Sequence, residues 1–72
     1  MKFPLLSGRQ VVGALKRMGF VEVSRKGSHV KMKHFDGRLI VFPFHDEVDR
    51  FTLKGALADA EIDTSEFLKV IR

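Results

Sequence analysis

The spacing of apolar residues along this chain changes period at each element. After Ser7, the apolar Val11, Val12, Ala14, Leu15 and Met18 recur at helical spacing and leave Arg9, Lys16 and Arg17 to solvent. Ser7 and Gln10 have the spacing of a capping box, and Gly19 stands where a left-handed residue ends a helix. The pattern predicts a helix over 8–18 whose apolar stripe is core. From Phe20 the period shortens to two. Phe20-Val21-Glu22-Val23-Ser24-Arg25 reads as a first strand, Lys26-Gly27-Ser28 as a turn, and His29 to His34 as a second strand. Phe35-Asp36-Gly37-Arg38 carries an Asp-Gly hairpin signal, and Leu39-Ile40-Val41-Phe42 follows as a third strand. Pro43, which has no N–H for a ladder, is expected to end it.

The remainder returns to helical spacing. Phe44 to Arg50 reads as a loop with acids at Asp46, Glu47 and Asp49. Thr52 is the expected cap of a second helix with Leu53, Ala56, Leu57 and Ala60 on one face. Gly55 weakens that helix by roughly 1 kcal/mol relative to alanine. Asp63-Thr64-Ser65-Glu66 resembles another capping box and opens a short last helix, from which Phe67, Leu68 and Ile71 pack back on the core. At 72 residues the chain is one domain, 1–72. The order is α-β-β-β-α(-α), an α+β fold: a three-stranded antiparallel sheet with helices on one face and its other face wet. That is the architecture of double-stranded RNA-binding-like domains.

The second strand carries the chemistry. Its alternation sends His29, Lys31 and Lys33 to one face and Val30 and Met32 to the other. With Val30 and Met32 in the core, the open face presents an imidazole among ammonium groups. Such a face suits an anionic polymer, and an imidazole transfers protons near neutral pH. An ordinary hairpin with a solvated polar face is the alternative reading. Charge distribution is compatible with both and adds one observation. The formal net charge of +4 is segregated: residues 1–38 hold nine Lys/Arg against two acids, and residues 39–72 hold four against seven. A basic half is the electrostatic footprint of a nucleic-acid binder.

Other chemistries fit less well. There is no cysteine, so disulfides and thiolate metal sites are excluded. His29 and His34 have opposite parity and point to opposite faces, leaving only His45-Asp46 as neighbouring metal ligands, and no metal or other cofactor is expected. Ser28 adjoins His29 in sequence, which sends the two side chains apart, and no phosphate-binding glycine loop is present. His34, at a strand end, is expected to be solvated, and His45 to make a capping or packing hydrogen bond. The segment Met1-Lys2-Phe3-Pro4-Leu5-Leu6 is too short for a signal sequence, and no window reaches the roughly 20 apolar residues of a membrane span. A soluble, cytoplasmic protein without membrane contact is expected. RNA brings its own nucleophile, the 2′-OH. His29 is therefore suited to act as base or acid, and Lys26, Lys31 or Lys33 to hold the phosphate.

Four motifs in order carry a resemblance covering about residues 7–62. These are Ser7-Gly8-Arg9-Gln10 with Val11, Leu15, Gly19 and Phe20; then Lys26-Gly27-Ser28-His29 followed by Val30 and Met32. Val41, Pro43 and His45 form a Val-x-Pro-x-His pattern, and Thr52-Leu53-Lys54 leads to Leu57, Ala60 and Ile62. Together they resemble the HicA-type (YcfA-like) mRNA interferase toxins of toxin–antitoxin systems. The resemblance implies a double stranded RNA-binding-like fold, metal-independent cleavage of mRNA, and catalysis by the Gly-Ser-His histidine, here His29. Arg25, Lys26, Gly27, Ser28, Lys31 and Lys33 are the expected RNA-binding residues. A HicB-type antitoxin is the implied protein partner, and the free toxin is expected to be a monomer. The chain departs from the pattern where Phe51 and Glu61 replace glycines, and where the loop from His45 to Thr52 is short. A non-catalytic RNA-binding module of the same fold is the alternative, with His29 contacting only phosphate or ribose.

Overall fold

Ser7 starts the first helix as its spacing predicts. Its hydroxyl accepts a hydrogen bond from the Gln10 backbone N–H at 3.1 Å, and the Gln10 side chain accepts one from the Ser7 N–H at 3.0 Å. In the computed structural model, which describes residues 3–71, this helix, α1, runs Gly8–Arg17. Met1 and Lys2 of the N-terminal segment, and Arg72, lie outside the described residues. Met18 caps α1, and Gly19 follows with φ 98°, the left-handed turn that ends it.

Three strands follow: β1 Phe20–Lys26, β2 His29–His34 and β3 Leu39–Pro43. They form an antiparallel sheet in the order β1-β2-β3, with β2 in the centre. Lys26 pairs with His29, so β1 extends one residue past the predicted end and the loop is only Gly27-Ser28. Gly27 has φ 61° at the first central position of this two-residue turn, where a side chain would be strained. Pro43 also joins the ladder, opposite His29, as the last residue of β3. It sits at a strand end, where a missing N–H costs little.

Strand β1 does not bury an alternating set. Only Phe20 is buried, and a bulge interrupts the register between Glu22 and Ser24. The strand lies at the sheet edge, and α1 packs against it. Past that region Glu22 and Arg25, on the helical side by register, are solvated and pair with each other at 3.2 Å.

Helix α2 spans Arg50–Asp59 and starts earlier than the Thr52 cap predicted from sequence. Asp49 is the cap: its Oδ2 accepts both the Thr52 N–H at 2.8 Å and the Thr52 hydroxyl at 2.9 Å. Aspartate caps at least as well as threonine, and here it captures that residue too. The backbone hydrogen bond from Thr52 holds the Asp49 carboxyl below its usual range. Helix α3, Thr64–Lys69, is capped by Asp63, whose side chain accepts from the Ser65 N–H at 2.8 Å.

The core lies between the helices and one sheet face. Val11, Ala14 and Leu15 of α1, Val30 and Met32 of β2, Ile40 and Phe42 of β3, and Leu53 and Leu57 of α2 are fully buried. Phe67 of α3 joins them and stacks on Phe3, with ring centroids 6.4 Å apart. A bridge between Leu6 and Val48 ties the N-terminal segment to the loop after β3. No helix among the described residues is long and apolar enough to cross a membrane.

Candidate nucleic-acid interface

Antiparallel pairing puts directly opposed residues on the same side of the sheet. Val30 opposite Phe42 and Met32 opposite Ile40 are buried under the helices, so the intervening positions form the open face. Three rows cross it: Lys26–His29–Pro43, Ser24–Lys31–Val41 and Val21–Lys33–Leu39. His29, Lys31 and Lys33 are all exposed, as their parity predicts. Successive members of this column are about 6.6 Å apart along the strand. Lys26, by contrast, is a directly opposed neighbour of His29, with Cβ atoms about 5 Å apart. No acidic residue is registered on these rows, and no carboxylate among the described residues pairs with Lys26, Lys31 or Lys33.

The turn that delivers His29 is anchored from behind. The Phe44 N–H donates to the Ser28 carbonyl at 2.6 Å, and the Gly8 N–H donates to the His45 carbonyl at 2.7 Å. A Cβ on Gly8 would fall 2.8 Å from the Phe44 ring, so glycine lets the start of α1 close on this segment. Gly27 and Ser28 are exposed in the turn. His45 lines a shallow depression with Ser7, Arg9, Phe44 and Asp46.

Arg25 stands apart from the other basic residues. Its register partner is buried Val30, and its guanidinium lies 4.4 Å from the centre of the Phe44 ring while bridging Glu22. It supports the segment behind the turn and does not join the open face.

His34 is buried at 8% exposure, against the expectation of a solvated edge histidine. It shares parity with Val30 and Met32, which places its ring edge-on to Phe20 at 5.1 Å. Its Nδ1 accepts from the Asp36 N–H at 3.2 Å and lies 3.0 Å from Asp36 Oδ1. The opposite orientations of His29 and His34 follow the strand parity. No three His, Cys, Asp or Glu side chains gather into a metal-binding group among the described residues.

The open face also holds apolar residues that parity alone did not assign to it. Val21, Leu39 and Val41 are each about half exposed, and Phe35, beyond the end of β2, is 92% exposed. Leu39-Ile40-Val41-Phe42 has no polar alternation, the one sequence sign that β3 is apolar on both faces.

Comparison with known proteins adds to this geometry. The family model described as the HicA toxin of bacterial toxin–antitoxin matches residues 8–62, from the start of α1 through the end of α2. A chain of a solved toxin–antitoxin complex from Streptococcus pneumoniae is similar with a TM-score of 0.64 and 28% identity. The similarity covers 79% of this chain and 98% of that one. No curated protein matches. The matched segment includes all three strands, the Gly27-Ser28-His29 turn and both long helices, and the chain belongs to the HicA family of bacterial toxin–antitoxin toxins.

Proposed function

We propose that this toxin is a metal-independent endoribonuclease acting on mRNA, with His29 as its catalytic histidine. The observation that carries this reading is the open face, where an exposed imidazole shares one column with Lys31 and Lys33 and one row with Lys26. His29 takes the proton of a ribose 2′-OH, and the resulting oxygen attacks the adjacent phosphorus. The bond from phosphorus to the 5′-oxygen breaks, and that oxygen takes a proton from water or from the imidazolium. Lys26, Lys31 and Lys33 hold the phosphates and stabilise negative charge on the phosphorane. Gly27 and Ser28 let the RNA backbone approach the turn closely. Arg25 acts indirectly, by bracing Phe44 behind the turn.

The solved neighbour is a toxin–antitoxin complex. We take the partner here to be a HicB-type antitoxin that covers the open face and shields His29. The half-exposed Val21, Leu39 and Val41 on that face give such a partner apolar surface to bury. The free toxin is read as a monomer working in the cytoplasm, where mRNA is available.

The test is incubation of purified protein with a long single-stranded RNA in EDTA, wild type beside His29→Ala. Cleavage by the wild type alone, with RNA bound by both, is the expected result. His29 is exposed, so its truncation leaves the core intact. Binding without cleavage by either protein would overturn the enzymatic reading in favour of a non-catalytic RNA-binding module.

A further inference from the structure

The β2–β3 hairpin ends in a turn that leaves a phenylalanine almost fully exposed. Phe35 is 92% exposed, and nothing in the turn's hydrogen bonding requires an aromatic there. The turn is rigid. The Gly37 N–H donates to the His34 carbonyl at 2.9 Å, and the His34 N–H donates to the Arg38 carbonyl at 2.9 Å. Asp36 accepts from the Arg38 backbone N–H at 3.0 Å and from its guanidinium at 2.8 Å. One side of Phe35 meets the His34 ring at 4.4 Å between centroids, and His34 in turn meets buried Phe20. Three rings thus run from the core to the surface, and the outermost is open to solvent. A shallow depression lined by Gly19, Val21, Lys33, His34 and Phe35 lies beside it.

We propose that Phe35 is a stacking platform for an unpaired base of single-stranded RNA, at the opposite end of β2 from His29. The proposal rests on the reading of the open face as an RNA surface. Six residues of strand-like rise separate Phe35 from His29, about 20 Å, with Lys31 and Lys33 between them. An RNA strand following that column places phosphates on the lysines and a base against Phe35. The combination of a basic track and an exposed aromatic is what sequence-tolerant binding to single strands requires. A duplex would keep its bases stacked on one another, so the ligand is single-stranded RNA. The absence of registered carboxylates on the face favours a polyanion. The locked turn holds the ring in place, so little conformational freedom is lost on binding.

The chain contains no tryptophan, so Phe35→Trp introduces a unique fluorophore at the platform. In a His29→Ala background, which leaves RNA uncut, a labelled single-stranded oligoribonucleotide is titrated with the parent, Phe35→Ala, Phe35→Leu and Phe35→Trp. Circular dichroism confirms that each is folded, as expected for a site so exposed. Phe35→Ala is expected to weaken binding about tenfold. Phe35→Leu should fail to restore it, Phe35→Trp should restore it, and RNA should quench the indole. Unchanged affinity in Phe35→Ala together with an unquenched indole would overturn the proposal. An indole that responds to polyglutamate and not to RNA would also overturn it, assigning Phe35 to a protein-facing surface. Failure of the parent itself to bind RNA would bring down the RNA reading of the face and this proposal with it.

Discussion

Glu61 occupies a backbone position that suits glycine. It follows the Ala60 cap of α2 with φ 57°, the one positive value among the described non-glycine residues. The Glu61 N–H donates to the Ala58 carbonyl at 3.0 Å and the Ile62 N–H to the Leu57 carbonyl at 2.9 Å, the two bonds of a Schellman motif. Ile62 and Leu57 are both buried, completing the motif's apolar contact. The glycine that the family resemblance led us to expect thus has a physical reason, and Glu61 pays about 1–2 kcal/mol of left-handed strain for its absence. Glu61→Gly should be stabilising, by about 0.5–1 kcal/mol after allowing for glycine's greater freedom in the unfolded chain. For a chain of this size that is a rise of about 2–8 °C in Tm, read by thermal circular dichroism. Catalysis by His29 is the residue-scale prediction of the proposed function, and it is independent of this one.

At the scale of elements, caps decide where helices begin. Thr52 has the residue type of a cap, but Asp49 lies three residues earlier and satisfies both its N–H and its hydroxyl. Sequence spacing pointed to Thr52, and the structure moves the cap to Asp49. The choice has a pH signature. Asp49 has its carboxyl lowered in the folded state, chiefly by the Thr52 backbone N–H, and Asp36 is lowered chiefly by the Arg38 backbone N–H. A carboxyl lowered on folding stabilises the protein above its unfolded value of about 3.9 and loses that contribution as pH falls through the folded value. Denaturant midpoints should therefore decline as pH drops below about 4. Asp49→Asn, which can still cap, should flatten part of that decline, leaving the share due to Asp36. An unchanged pH profile in Asp49→Asn would show that the cap's charge does not matter.

At the scale of the molecule, three basic residues from the first half of the chain, Lys26, Lys31 and Lys33, gather on one sheet face. Binding to single-stranded RNA should weaken with salt, with a slope of about −0.7 per phosphate neutralised. Lys31→Ala and Lys33→Ala should each make that slope shallower by about 0.7 and leave Tm nearly unchanged, because both side chains are exposed. Arg25→Ala should leave the slope unchanged, since its guanidinium bridges Glu22 and covers Phe44. Titrations at several salt concentrations read all three variants. An Arg25→Ala slope as shallow as that of Lys31→Ala would place Arg25 in the RNA track after all.

The local sequence determined what short-range physics controls. Helical spacing and a capping box set α1, the glycine turn and the Asp-Gly turn set the two hairpins, and strand parity put His29, Lys31 and Lys33 on one face and Val30 and Met32 on the other. The tertiary structure decided what depends on neighbours distant in sequence or on competition between them. It buried His34 against Phe20, drew Arg25 onto Phe44, left most of β1 without a covering helix and gave α2 to Asp49. It also left Phe35 standing on a locked turn at the end of the basic column. Periodicity determines which way a side chain points, but only packing determines what it meets there.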